Sequence, residues 1–189
     1  MAYGRWRDED HPDELPQAEV WERFVIGGWP RTARAAVRAS AAKLSYDWTW
    51  RNNWALRPGI AETLSVATEA GLPLAVVSNT LCGAAHRDFL VKTGVGKLFG
   101  AQIYSDEAGV RKPNPQMIWN ATDELGVPPE PCWFVGDSPP RDLVCARRAE
   151  VRTAILMRSP RTEEPGDRPA PDATVPDGRG LLELLSAAL

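Results

Sequence analysis

The chain has 189 residues, enough for one substantial hydrophobic core with at most a small second lobe. Its 22 basic and 25 acidic residues leave a net charge of -3, a balance that implies no basic face of the kind nucleic-acid binding demands. There is no apolar run long enough to span a membrane, and MAYGRWRDED lacks the apolar stretch of a secretory signal, so a cytoplasmic protein is expected.

From the amino end, Gln17 to Ile26 and Pro30 to Leu44 read as helices, the second rich in alanine and arginine. No comparable strand pattern occurs before residue 58. Six of the eight tryptophans (Trp6, Trp21, Trp29, Trp48, Trp50, Trp54) fall in this part, as expected of a small lobe that fills its interior with large rings. The character changes at Arg57-Pro58-Gly59. LPLAVVS (72–78) is a buried-strand run, followed by a helical stretch to residue 93. AQIYS (101–105) is a second strand, and Pro113 to Gly126 reads as a helix with proline at its start and glycine at its end. CWFVG (132–136), VRTAILM (151–157) and DATV (172–175) are further strands; a helix from Pro140 to Ala149 and a final amphipathic helix, GLLELLSAAL, fall between and after them. A proline-rich loop occupies 159–171. Strands alternating with helices predict an α/β, Rossmann-like parallel sheet over residues 58–189, preceded by a helical cap over 1–57. Cys82, Cys132 and Cys145 fit no metal or redox spacing and read as buried thiols in a reducing compartment. His11 and His86 are too far apart in sequence to suggest a shared site.

Parallel strands present their carboxyl ends on one edge, where ligands of open α/β sheets bind. Ser78 and Asn79 follow the first strand. SDEAGVRKPNP, with Lys112, follows the second. GDSPPRD, with Asp137 and Asp142, follows the third. A hydroxyl, an ammonium and two carboxylates converging there suit a phosphoryl group and a divalent ion. Each element alone has an ordinary reading: Ser-Asn as a turn, the lysine as a solvated charge, Asp137 as a helix cap. Their order, one set per strand end, is the specific signal.

That order resembles the haloacid dehalogenase (HAD) superfamily, in its phosphatase-like branch with a small helical cap. LRPGIAETLSVATEAGLPLAVVSN is similar to the family's second motif, SDEAGVRKPNPQMIWNATDELG to its third and CWFVGDSPPRDLVCARRAEVRTAIL to its fourth. The resemblance implies that Ser78, with Asn79 beside it, binds the phosphoryl group and that Lys112 neutralises it. It implies that Asp137 binds Mg2+, with Asp142 supporting or sharing that role, and that a small phosphorylated metabolite is the substrate. The GD…D form matches magnesium-dependent phosphatases rather than dehalogenases. A receiver-type signalling domain uses similar residues in a different chain order. Arg51, Asn52, Asn53 and the cap tryptophans are candidates for substrate specificity.

The family's first motif, an Asp-x-Asp after a central strand, has no match in the sequence. Asp8 and Asp10 have the spacing, but MAYGRW is not a buried strand, and RDEDHPDE reads as a solvated segment. Without that strand, about ten ladder hydrogen bonds at ~0.5–1.5 kcal/mol each would be lost, against a domain stability of only ~5–15 kcal/mol. Two readings stand: a partial chain whose first motif lies upstream, or a short form that is either a phosphate-binding pseudo-enzyme or a subunit completed by another polypeptide. A HAD-like hydrolase inactive as printed is expected.

Overall fold

Short β-branched runs alternating with helical stretches fold into parallel strands flanked by helices on both faces. The computed structural model describes residues 13–163 and 169–189. Trp6, Asp8, Asp10 and His11 lie outside the described residues. Three helices come first: α1 (Gln17–Phe24), α2 (Arg31–Ala39) and α3 (Ala41–Thr49). The single helix predicted from Pro30 to Leu44 is therefore two. Ser40, at φ -107° and ψ 7°, leaves the helical region, and the chain restarts at Ala41. Packing explains the break. α2 buries no residue, whereas α3 turns Ala41 and Ser45 inward, and the Ser45 hydroxyl accepts a 2.9 Å hydrogen bond from the Trp21 indole of α1. Helical periodicity in an alanine-rich stretch cannot show such a change of direction.

The remainder alternates: α4 (Ile60–Glu69), β1 (Ala75–Ser78), α5 (Gly83–Lys92), β2 (Ala101–Tyr104), α6 (Ser105–Ala108), α7 (Gln116–Leu125), β3 (Trp133–Gly136), α8 (Val144–Arg148), β4 (Thr153–Met157), β5 (Ala173–Val175) and α9 (Gly178–Ala188). The fold is the expected α/β class, but the strands form two sheets. β1 pairs with β2 in parallel, Val77 opposite Ile103. β3 pairs with β4 and β4 with β5, also in parallel. Among the described residues no strand joins β1 to β3.

Two apolar layers cover the larger sheet. On one face Ile118 of α7 and Cys145, Ala146 and Ala149 at α8 pack with Ala154 and Leu156 of β4 and with Phe134. On the other, Ile60 of α4 and Leu181 and Leu184 of α9 pack with Ile155, Met157 and Val175. β4 thus alternates its side chains between the two layers. Helix α7 also covers the smaller sheet, with Met117 and Ala121 on Ile103, Ala75 and Val77. The starts of α4 and α9 abut so closely that a Cβ on Gly59, at φ +80°, would lie 2.3 Å from the Arg179 amide nitrogen. The Thr63 hydroxyl seals this contact with hydrogen bonds to the carbonyls of Gly59 (2.7 Å) and Gly178 (2.9 Å), geometry that allows it to donate to one while close to the other. Between the inner edges of β1 and β3 lies a cavity of about 870 Å³, flanked by α4, α7 and α9.

The rings of the N-terminal part mostly pack on one another. Trp21 meets Trp48 edge-on at 6.2 Å, and Trp50, Trp54 and His86 follow in series at 5.9 and 4.9 Å. Trp29 and Trp48 remain more than half exposed. All three cysteines are free, Cys82 and Cys145 buried and Cys132 half-buried. Burial pushes the Cys145 thiol up to about 12, so it stays protonated.

Candidate functional site

The third strand run ends at Gly136, where the Asp142 side chain folds back over it. Asp142 Oδ2 accepts 2.9 Å hydrogen bonds from the amides of Asp137 and Ser138. A Cβ on Gly136 would lie 2.3 Å from the Asp142 Cβ, so only glycine allows this approach. Pro139 to Leu143 form a π-helical turn that carries Asp142 inward, in place of the first turn of the helix predicted from Pro140. The other Asp142 oxygen, Oδ1, lies 2.7 Å from the Lys112 ammonium. Burial pushes the Asp142 pKa up, but the neighbouring Lys112 charge and its hydrogen bond, with the two backbone amides, outweigh it and hold the carboxyl below its ordinary range.

Lys112 is the centre of the arrangement. Its ammonium donates to the Val77 carbonyl of β1 at 2.8 Å as well as to Asp142, and lies 5.5 Å from the Phe134 ring centroid. It therefore ties the end of one sheet to the loop leaving the other. Asn79 fixes its backbone: the Asn79 amide donates to the Lys112 carbonyl at 2.9 Å, and the Lys112 amide donates to Asn79 Oδ1 at 2.8 Å. Ser78 ends β1 and lines the same cavity as Lys112, Asp137 and Asp142. The structure thus gathers Ser78, Lys112, Asp137 and Asp142 at one edge and gives Asn79 to the Lys112 backbone.

Two features had no signal in local sequence. Arg161, in the proline-rich loop, places its guanidinium 3.8 Å from Asp137. Glu14 and Arg111 form a buried ion pair, with Arg111 Nη1 at 2.8 and 2.7 Å from the two carboxylate oxygens, and the Ser105 hydroxyl donates to Glu14 at 2.6 Å. This pair fixes the residue beside Lys112 to the segment leading into α1. Glu14 and Arg111 are 97 positions apart, so no spacing rule could pair them.

Residues 33–156 match the haloacid dehalogenase-like hydrolase family. The chain belongs to that family. Among its HAD relatives, a phosphoserine phosphatase of Thermus thermophilus is 33% identical over 156 residues, covering 82% of this chain and 59% of the relative. The protein CbbY of Rhodobacter capsulatus is 30% identical over 182 residues, covering 91% of this chain and 78% of the relative. The chain spans about half the length of several curated relatives it matches. A 2-haloacid dehalogenase structure from Pseudomonas syringae pv. Tomato superposes with a TM-score of 0.68 at 20% identity, covering 92% of this chain and 73% of the other, and speaks to the fold alone. The phosphatase-like branch of the HAD superfamily is the one its curated relatives support.

HAD phosphatases generally use Mg2+. Magnesium takes few protein ligands, keeps several waters and binds through one or two carboxylates with substrate phosphate. Asp137, part-exposed at the mouth, suits that mode. Asp142 does not suit direct coordination, since Oδ2 already accepts from two amides and Oδ1 faces Lys112. Among the described residues no group of three His, Cys, Asp or Glu side chains forms a ready-made metal cage.

Proposed function

We propose that this chain supplies the phosphate-gripping part of a magnesium-dependent phosphomonoesterase for a small phosphorylated metabolite. The described residues alone do not turn the substrate over. The observation that carries this reading is the Lys112 ammonium, held between the Val77 carbonyl and Asp142 at the cavity edge that Ser78 also lines. An ammonium has three N–H donors. Two are engaged, which leaves one for an anionic oxygen, and the Ser78 hydroxyl offers another donor. Asp137 would hold magnesium, which when bound neutralises phosphate oxygens. Asp142 orients the Asp137 loop and Lys112, and Asn79 fixes the lysine backbone. The names of the relatives, a phosphoserine phosphatase and a glyceraldehyde 3-phosphate phosphatase among them, support a small phosphorylated metabolite.

Hydrolysis in this family resemblance needs a carboxylate to attack phosphorus. Asp137 and Asp142 are the acidic residues lining the cavity among the described residues. The first is assigned to the cation and the second is engaged by Lys112 and two amides. A non-catalytic phosphate-binding role would use the same grip. The test pairs a titration with inorganic phosphate and a magnesium-dependent aryl phosphate assay on the 189-residue chain. Phosphate should bind, at least tenfold more weakly in Ser78→Ala, with no turnover. Turnover that vanishes in Asp137→Asn would show that an attacking group lies within the chain. Absence of phosphate binding by folded protein would overturn the grip itself.

A further inference from the structure

The segments that follow β1, β2 and β3 bring Ser78, Lys112 and Asp137 to one edge, and β4 ends there as well. It runs parallel to β3 with Leu156 opposite Gly136, so the residues after Met157 emerge beside the Asp137 loop. A short 3-10 turn, Pro160–Glu163, follows. The Ser159 amide donates to the Thr162 hydroxyl oxygen, and the Arg161 amide to the Ser159 hydroxyl oxygen, both at 2.9 Å. Ahead of the turn the Arg158 carbonyl accepts from the Arg57 guanidinium. Within it, Thr162 Oγ1 lies 3.5 Å from the Asp137 carbonyl oxygen. A held turn thus presents Arg161 at the border of the cavity that Ser78, Lys112 and Asp137 also line.

Two arginines line that cavity, and they are used differently. Arg57 directs its guanidinium to the carbonyls of Arg158 and Pro176. The Arg161 side chain is 63% exposed, and its Nη1 stands 3.8 Å from Asp137 Oδ1, longer than a hydrogen bond. An exposed pair of this kind adds little to stability. The Arg161 charge also helps to lower the His86 pKa, so the guanidinium stands near α5 as well as near the Asp137 loop.

A phosphoryl group offers three strong acceptor oxygens. In the phosphate-grip reading, Ser78, Lys112 and the cation on Asp137 are their partners. Once Asp137 serves a cation, Arg161 loses the carboxylate it faces. Its planar fork of N–H donors then suits a bidentate carboxylate or phosphate. We infer that Arg161 binds a second anionic group of the substrate, so that the class taken here is a phosphate monoester bearing a further carboxylate or phosphate. The inference rests on the phosphate-grip reading and adds to it the end of the ligand remote from the gripped phosphate.

Calorimetric titration of the 189-residue chain in the presence of Mg2+ tests it. The probes are inorganic phosphate, ethyl phosphate, carboxyalkyl phosphates of increasing chain length and the matching alkane bisphosphates. At least one two-anion probe should bind about tenfold more tightly than ethyl phosphate. The series that gains identifies the second group as a carboxylate or a phosphate. Arg161→Ala should remove that gain and leave inorganic phosphate binding unchanged. Arg161→Lys keeps the charge but not the fork, and should restore only part of the gain. Arg152→Ala, at an exposed position just ahead of the amino end of β4, should change nothing. If no second anion tightens binding, if the gain survives in Arg161→Ala, or if that variant weakens inorganic phosphate and the two-anion probes equally, the inference is overturned while the grip stands. Failure of inorganic phosphate to bind would overturn the grip and the inference with it.

Discussion

At Gly136 the backbone has no room for a methyl group, and the reason is the Asp142 side chain lying against it. That contact turns two carboxylates five positions apart in sequence into groups with different work. Asp142 is buried and organises the loop; Asp137 remains accessible at the mouth. Removing the Asp142 charge should leave the mostly buried Lys112 ammonium without its counter-ion. Asp142→Asn is expected to cost about 3 kcal/mol in a urea titration, the low end for breaking a buried pair. The pH dependence has a definite sign. The folded carboxyl titrates below its ordinary 3.8. Its stabilisation is therefore present above that value and is lost as pH falls through the lower folded value. Acid unfolding below about pH 4 should lose this component in Asp142→Asn, which has no carboxyl to protonate.

Among the elements, the N-terminal helices are held to the rest of the chain by side chains at and ahead of the start of α1. Gln17, at the start of α1, donates to the Leu81 carbonyl at 2.9 Å and lies 3.2 Å from Asp106. Asp106 in turn accepts from the Gly83 amide at the start of α5, at 3.0 and 3.1 Å to its two oxygens. Ahead of α1, Asp13 bridges Val110, and Glu14 pairs with Arg111 and Ser105. Replacing Glu14 by glutamine would leave the Arg111 charge buried without its carboxylate. A loss of about 3–5 kcal/mol is expected, measured by chemical denaturation. Faster amide exchange in 105–112 should show that the loop carrying Lys112 has loosened with it. The helix from Pro113 to Gly126 shows what was legible at this scale. Its observed span is Gln116–Leu125, and Gly126 adopts φ +66° to end it. Ser40 shows what was not: a helix break set by what α3 packs against leaves no mark in periodicity.

For the whole molecule, a series of rings runs from the N-terminal helices to β2: Tyr46 stacks with Trp50, then come Trp54, His86 and Tyr104. Burial, with a smaller push from the Arg161 charge, lowers the His86 pKa from its ordinary 6.5. The unfolded chain consequently binds a proton more readily than the folded one below that value. The stability tied to neutral His86 is present above about pH 6.5 and declines as pH falls from there toward the folded pKa. Thermal melts between pH 7 and 5 should show Tm falling with acidity, and His86→Phe should reduce that slope. The two-sheet arrangement belongs to the same scale. Lys112 and helix α7 span the sheets where no strand does among the described residues.

The sequence by itself determined the element types and singled out the residues that gather at the strand ends. Strand runs, turn residues and the order Ser78, Lys112, Asp137, Asp142 are local signals, written within a few positions of one another at each strand end. The HAD family, resembled on those motifs, is the family the chain belongs to. Tertiary structure decided the rest. Asp142 is an organiser because Lys112 and two amides reach it, Asn79 is a backbone clamp, Arg161 arrives from a proline-rich loop, and Glu14 meets Arg111 across 97 positions. Those assignments depend on which groups fill one small volume after folding, and chain spacing carries no record of that volume.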